Sequence, residues 1–527
     1  MAAPASPVTG ATTTHRTLVA VVWSAVLTGV VIGPMAGRGW VVTLDWVVGP
    51  HTTFADRIGS GASLPAGPAF FAVAAAVDAV AGAAVGWLVP ALWLVVAGWA
   101  GSRLVPTSLA ARLAGATAVV WNPFVHERLY AGHVATLAGY ALLVALVAAL
   151  AHPGGERPWL RWGGWWAAAS ACSVQFLVIG AAPVAAVVLV VGPGSFGARL
   201  RRMAAAAAVA TTCTLAWLLP ALADAPDGGD ASTANAFTTR ADPRLGLLVG
   251  TLLQRGFWRA SPGAPGVDGS TAANVVAAAV AVAAIVGWWR ARRLERPVAT
   301  ALAVVAVVGW VVAWGTGGPF GWAHRFVVDA VPGGAALREP GKFLALLAIA
   351  SAYGLAHAAD GLTGALGRRR PGRLVGAALV VTSLAPIALT PGLAWGVGGR
   401  LAAVRYPAEW ERAAAVIEDA APGGVVVVPF DAYLDPGFTG GRVVTHPAPA
   451  FFGPAVVVSD DPRVPGLAGS DDTRRIAEAL AGPAPVNDLG GLGIDRVLTT
   501  AAGYDPAAAG FVPESRAGRA PVWRAPR

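Results

Sequence analysis

Three polar islands hold the residues that could do chemistry in an otherwise apolar chain. One runs Trp121-Asn122-Pro123-Phe124-Val125-His126-Glu127-Arg128-Leu129-Tyr130-Ala131-Gly132-His133, and a second runs Leu337-Arg338-Glu339-Pro340-Gly341-Lys342-Phe343. The third is a single carboxylate, Asp45, inside Val41-Val42-Thr43-Leu44-Asp45-Trp46-Val47-Val48-Gly49-Pro50. Ionisable groups beside hydrocarbon are expensive, so each needs a binding or chemical reason. Arg338 and Lys342 stand four apart around Pro340, with Glu339 between them, a spacing suited to gripping one phosphate or diphosphate from two sides. Lys342 is the only lysine against 37 arginines, a compact point charge where the rest of the chain uses planar forks. Ordinary snorkelling of both cations toward the interface is the plainer alternative.

A carboxylate in an apolar stretch is partly desolvated and thereby a usable general base, which is the expectation for Asp45. Asp56, beside Arg57, is a weaker second candidate, and for a lone carboxylate capping or ion pairing is the plainer role. In the first island Asn122-Pro123 ends a helix, because the residue before proline is driven out of the helical region. His126, Glu127 and Arg128 then occupy successive directions around a short turn, and His133 begins the next helix. Glu127 suits orienting an acceptor hydroxyl or a bound cation. Arg128 suits pairing with a phosphate or, internally, with Glu127.

Signals for other chemistries are missing: there is no P-loop, no His-Glu-x-x-His and no Gly-x-Ser-x-Gly. Cys172 and Cys213 both fall in apolar runs, which removes a disulfide framework and a cysteine zinc site. No motif demands a cofactor and no metal-ligand set is identified. A divalent cation stays open, although the pairs Asp460-Asp461 and Asp471-Asp472 read as turns or helix caps.

The elements that must position these residues follow from composition. With 56% hydrophobic and 13% charged side chains in 527 residues, the chain is an integral membrane protein. Apolar runs predict about eleven transmembrane helices, near 17–36, 83–102, 108–121, 133–151, 164–177, 179–193, 203–220, 271–289, 297–316, 343–359 and 374–395. The stretch 164–192 reads either as one long tilted helix or as two short ones broken near Gly180. The first span is expected to stay as an anchor rather than be removed as a signal peptide.

Alternating sides from a cytoplasmic N-terminus puts Arg199, Arg201, Arg202, Arg290, Arg292, Arg293, Arg368, Arg369 and Arg370 on the inner face. Only Glu156, Glu295 and Asp360 oppose the basic residues there. The net charge of +9 is then topological and is no sign of a nucleic-acid partner. All three islands fall on the outer face. Two outer segments, Pro65 to about Val80 and Pro243 to Arg255, read as helices lying in the membrane interface.

Behind a transmembrane module of residues 1–397, residues 398–527 read as one extracytoplasmic domain. A helix over 407–420, strands at 425–428 and 455–458, a helix over 473–480 and a strand at 496–499 predict a small α/β fold. It is expected to cover the site and help to bind an acceptor.

This layout resembles the GT-C superfamily of membrane glycosyltransferases. The matching features are Asp45 in the first outer loop, an interfacial helix before the second span, the Asn122-Pro123 island with Glu127 and Arg128, Arg338-Glu339-Pro340-x-Lys342 late in the bundle, and an extracytoplasmic C-terminal domain. Gly256-Phe257-Trp258 and Tyr406-Pro407-x-x-Trp410 resemble large bacterial multi-spanning proteins grouped with it. The resemblance implies a bacterial inner-membrane enzyme that takes a sugar from a polyprenyl-phosphate donor. The sugar passes to a cell-envelope glycan, lipid or protein acceptor. It further implies Asp45 as the base and Arg338, Lys342 and Arg128 as holders of the donor phosphate. Where the family usually has a second acidic residue or a Gly-Asp pair, this chain has Leu44-Asp45-Trp46. The rival readings are a non-catalytic assembly factor of the same fold and a lipid or glycan transporter. A transporter needs polar side chains through the bundle, and the spans offer few beyond Gln175 and His357.

Overall fold

The computed structural model describes residues 7–54, 67–192, 194–223, 231–259, 271–369, 372–418, 422, 424–465, 467–500, 504–515 and 522–526. Asp56 lies outside the described residues. The chain forms two compact units. One comprises Met1–Gly33, Ala55–Val73 and Val89–Gly398; the other comprises Pro34–Phe54, Ala74–Leu88 and Gly399–Arg527.

The first unit is a helical bundle, and a helix occupies each of the apolar ranges read from the sequence that fall within it. Five of the described helical segments are long and apolar enough to cross a membrane: Thr14–Ala36, Pro68–Gly101, Val134–Ala151, Thr271–Leu294 and Pro340–Arg368. The bent pair Arg373–Leu389 and Pro391–Gly398, at 82° to each other, makes a sixth if it counts as one span. The helices Gln175–Val191 and Arg296–Val312 are apolar but shorter.

The ambiguous stretch resolves as two helices, Pro158–Cys172 and Gln175–Val191, and the break lies at Ser173-Val174 rather than near Gly180. Ser173 turns to extended backbone, and its hydroxyl donates to Gln175 Oε1 at 2.6 Å. Gly180 sits inside the second helix and faces the Trp166 indole, with a Cβ there falling 2.6 Å from the ring. Its glycine is thus a packing choice that lets two short helices close on each other, not a helix breaker.

Of the two segments expected as interfacial helices, Pro243 to Arg255 is helical over Gly246–Leu252. It buries Gly250 and Thr251 and exposes Leu248, Val249 and Leu252. Asp242 starts it by accepting the backbone N–H groups of Arg244 and Leu245. Thr251 Oγ1 fixes its inner face by accepting the indole N–H groups of Trp310 and Trp314 at 2.9 and 3.0 Å. The other, Pro65 to about Val80, is helical over Pro68–Ala81, but instead of standing apart it runs on through Gly82–Ala84 into the next helix as part of the apolar segment Pro68–Gly101.

The second unit holds a five-stranded sheet. Its strands are β1 (Val425–Val428), β4 (Val456–Val457), β5 (Arg496–Thr499), β6 (Val512–Ser515) and β7 (Val522–Arg524), in the order β4-β1-β5-β7-β6. The short β2 (Tyr433–Leu434) and β3 (Val444–Thr445) pair separately. β1 is apolar at every position because both its faces are covered. On one side lie the helix Ala408–Ile417 and the aromatic group Tyr406, Trp410, Phe451 and Phe452. On the other lie Ile476, Ala479 and Leu489. The helix expected over 407–420 is described as Ala408–Ile417 and that over 473–480 as Asp471–Ala481, the strands at 425–428 and 496–499 are present, and the strand expected at 455–458 shortens to two residues.

The first loop is built into this unit. Val42 is part of its core, the Trp46 indole donates to Gly86 O at 2.9 Å, the Tyr406 hydroxyl donates to Val48 O at 3.1 Å, and Thr445 N donates to Leu44 O at 2.8 Å.

Candidate functional site

The bundle joins the first and second islands into one polar cluster. Asn122 creates the geometry of the first. Its side-chain oxygen accepts Val125 N at 2.9 Å and caps the helix Pro123–Ala131, while its amide donates to Ala118 O, Val119 O and the Tyr140 hydroxyl. Asn122 is therefore a buried cap, and its amide is committed to holding the island rather than to a ligand. His126, one turn on, is buried too. Gly132, at φ 75°, ends this helix, and His133 opens the next, Val134–Ala151.

Across from them the chain enters the helix Leu344–Arg369 through a short turn over Pro340–Phe343. Arg128 Nη1 donates to Glu339 Oε2 at 3.1 Å and lies 3.1 Å from His133 Nδ1. Lys342 Nζ lies 3.3 Å from Glu339 Oε1, and His133 Nδ1 lies 3.8 Å from Glu339 Oε2. The internal pair considered from sequence, Glu127 with Arg128, is replaced by a long-range one, because consecutive helical residues point in different directions. The Arg128 side chain is only 1% exposed. Its guanidinium lies over the Phe124 and Phe257 rings at 5.5 and 5.3 Å. Arg338 stacks on Phe237 at 5.0 Å.

Glu127 faces the other way, toward the segment Gln254–Trp258. Its Oε1 accepts Gly256 N at 2.9 Å, while Oε2 is buried without a hydrogen-bond partner. Burial pushes its carboxyl up to about 7, against the opposing pull of Arg128, of the Gly256 and Phe257 backbone N–H groups, and of Arg255. Burial alone would raise Glu339 as well. There the Lys342 ammonium, His133 and the Arg128 and Arg338 guanidiniums outweigh it and hold the carboxyl well below its ordinary range. Three cations, Arg128, Arg338 and Lys342, thus surround one firmly ionised acid, leaving a positive surplus in a largely dry setting.

Sequence reading missed the segment Gln254–Trp258 as part of this site. Arg255 pairs with Asp242 at 3.0 Å, Phe257 meets His133 with ring centroids 5.7 Å apart, and Trp258 meets Phe237 at 4.6 Å. The available signal was Gly256, the small residue that lets the backbone reach Glu127 and Gly341.

Asp45 belongs to the second unit. Its side chain is exposed, so the desolvated setting expected from its apolar neighbours is not formed: Leu44 and Trp46 turn inward and leave Asp45 outward in a tight turn closed by Thr43 N donating to Trp46 O. The Tyr433 hydroxyl donates to its Oδ1 at 3.2 Å. In the same unit Asp460 accepts Ser470 N, and Asp471 and Asp472 sit in the first turn of the helix Asp471–Ala481, paired with Arg474 and Arg475. Among the described residues no group of three His, Cys, Asp or Glu side chains is placed to hold a metal ion.

The architecture formed here, a multi-helix bundle with a small C-terminal sheet, has counterparts among solved structures. The chain is similar over 95% of its length, and over 97% of the other chain, to the crystal structure of ArnT from Cupriavidus metallidurans bound to undecaprenyl phosphate, with a TM-score of 0.53 and 12% identity. The apo state of the same ArnT gives a TM-score of 0.50 at 12% identity, with 98% of each chain covered. The likeness is one of fold. The sequence matches no protein-family model and no curated protein.

Proposed function

We propose that this protein is a membrane glycosyltransferase that takes a sugar from a polyprenyl-phosphate donor and passes it to a cell-envelope glycan, lipid or protein at the extracytoplasmic surface. The observation that carries the reading is the cluster of Arg128, Arg338 and Lys342 around Glu339. Burying two cations, Arg128 and Lys342, with a half-buried third, Arg338, against one acid is costly unless an anion completes the set. A lipid phosphate is such an anion. Its isoprenoid tail stays in hydrocarbon and delivers the headgroup to the membrane boundary. As the sugar leaves, negative charge develops on that phosphate, and fixed cations lower the barrier most there. The fold shared with an ArnT crystallised with undecaprenyl phosphate supports the same ligand class.

Asp45 is the base in this reading, accepting the proton of the acceptor hydroxyl, with the Tyr433 hydroxyl orienting its Oδ1. The bundle lies in the bacterial inner membrane with its N-terminus cytoplasmic, residues 1–397 form the membrane module, and residues 398–527 lie outside the cytoplasm and meet the acceptor. The test is a proteoliposome assay with radiolabelled undecaprenyl-phosphate sugars and a cell-envelope extract as acceptor. Transfer of label that is lost in Lys342→Ala is expected. Failure of any lipid-linked sugar to bind or react would overturn the proposal.

A further inference from the structure

Beside the cationic cluster, the segment Gln254–Trp258 carries an aromatic surface and an unusual set of polar atoms. Ring contacts run from His133 to Phe257, from Phe257 to Trp258 and from Trp258 to Phe237, with centroid distances of 5.7, 5.5 and 4.6 Å. Arg128 and Arg338 lie over the two phenylalanines. Glu127 Oε2, Thr239 Oγ1, Arg255 Nη2 and Trp258 Nε1 are buried and have no hydrogen-bond partner, although nearly all buried polar groups in native proteins have one.

We propose that Phe237, Phe257 and Trp258, together with these atoms, form the subsite for the sugar ring of the donor, and that the sugar is an uncharged pyranose. The inference rests on the glycosyltransferase reading above and extends it to the substrate class. A pyranose presents C–H faces that pack on aromatic rings and edge hydroxyls that both donate and accept. The orphan atoms match that mixture: the indole N–H and the guanidinium only donate, while the Glu127 carboxyl, which burial favours in its protonated form, and the threonine hydroxyl can each donate and accept. A polyprenyl tail would fit the rings but leave every one of these polar atoms unpaired. The position fits as well, because the phosphate of such a donor is bonded directly to the sugar, and the same two phenylalanines carry the stacked cations. Arg128, Arg338 and Lys342 face the region with only Glu339 held ionised beside them, so a protonated amino sugar would be repelled.

The test is equilibrium binding in nanodiscs with three probes: undecaprenyl phosphate, undecaprenyl-phosphoryl-glucose and undecaprenyl-phosphoryl-glucosamine. Wild type is expected to bind the glucose lipid about tenfold more tightly than the sugar-free lipid, and the glucosamine lipid about fivefold more weakly than the glucose lipid. Trp258→Ala is expected to abolish the preference for glucose while leaving sugar-free affinity within about twofold, which also shows that the variant folds. Lys342→Ala should weaken all three probes alike. Equal weakening of both neutral lipids by Trp258→Ala, no preference for sugar in wild type, or tighter binding of the glucosamine lipid would each overturn the subsite while leaving lipid-phosphate binding intact. Wild type that binds none of the probes would instead overturn the glycosyltransferase reading, and the subsite with it.

Discussion

Arg128 and Glu339, 211 positions apart in the chain, meet at 3.1 Å with the guanidinium almost fully buried. Removing Glu339 strands the Arg128 guanidinium, at a cost of ~3–5 kcal/mol, whereas removing Arg128 leaves Glu339 with Lys342 at 3.3 Å and costs less. Arg128→Met and Glu339→Gln should each lower thermal stability in nanodiscs accordingly, and the double variant should lose less than the sum. Strictly additive losses would show that the two groups do not support each other.

Lys342 contributes a compact ammonium 3.3 Å from Glu339 Oε1. Lys342→Ala is expected to weaken undecaprenyl phosphate binding by about tenfold or more, which corresponds to ~1.4 kcal/mol. Lys342→Arg should not restore it fully, because a planar fork cannot occupy the same buried position. Titration of a fluorescent or radiolabelled lipid reads both, and unchanged affinity in the alanine variant removes the phosphate role.

Glu127 should make stability depend on pH. Its carboxyl is raised from 4.5 in the unfolded chain to about 7 in the fold, so folding favours the protonated form. That contribution is complete below about 4.5 and is lost as pH rises through about 7. Glu127→Gln, which stays neutral, should therefore gain in melting temperature relative to wild type between pH 5 and pH 8. A difference that does not vary with pH would place the carboxyl at its ordinary value.

Asp45→Asn keeps the size of the side chain and its contact with Tyr433 while removing the proposed base. Transfer should fall by about 10²- to 10⁴-fold with insertion and melting temperature unchanged. Full activity in the variant would exclude Asp45 from the reaction.

Gly341 marks where the two islands press together: a Cβ at this position would collide with Gly256 O and come within 3.2 Å of Arg128 Nη2 and 3.3 Å of Thr239 Oγ1. Gly341→Ala is expected to destabilise by ~1–3 kcal/mol through overpacking. Because it displaces Arg128, lipid-phosphate affinity should fall as well; a normal melting curve and normal affinity would contradict the close packing.

Much of this molecule could be read along the chain. Apolar runs near the length of a bilayer crossing placed the helices, Asn122-Pro123 marked the end of the helix Leu109–Val120, and the all-valine stretch 425–428 announced a strand covered on both faces, whereas the short turn expected at His126, Glu127 and Arg128 is a helix, Pro123–Ala131, because Asn122 caps it and Pro123 fits its first turn. Local rules failed where a partner from far away decided the outcome. Gly180 read as a helix breaker until Trp166 supplied the reason for its lack of a side chain. Asp45 read as desolvated because its neighbours are apolar, but those neighbours turn inward and the carboxylate turns out.

The sequence by itself determined that this is a helical membrane protein with a small α/β tail, and that its few polar groups are gathered in short islands, since hydrophobicity, charge bias and helix capping act over short stretches of chain. Only the tertiary structure decided that Arg128 answers to Glu339 rather than to Glu127, that Gly256-Phe257-Trp258 joins them, and that Asp45 stands beside Tyr433. Those pairings depend on helix packing that brings together residues 100 or more positions apart, and no local spacing records which faces will meet.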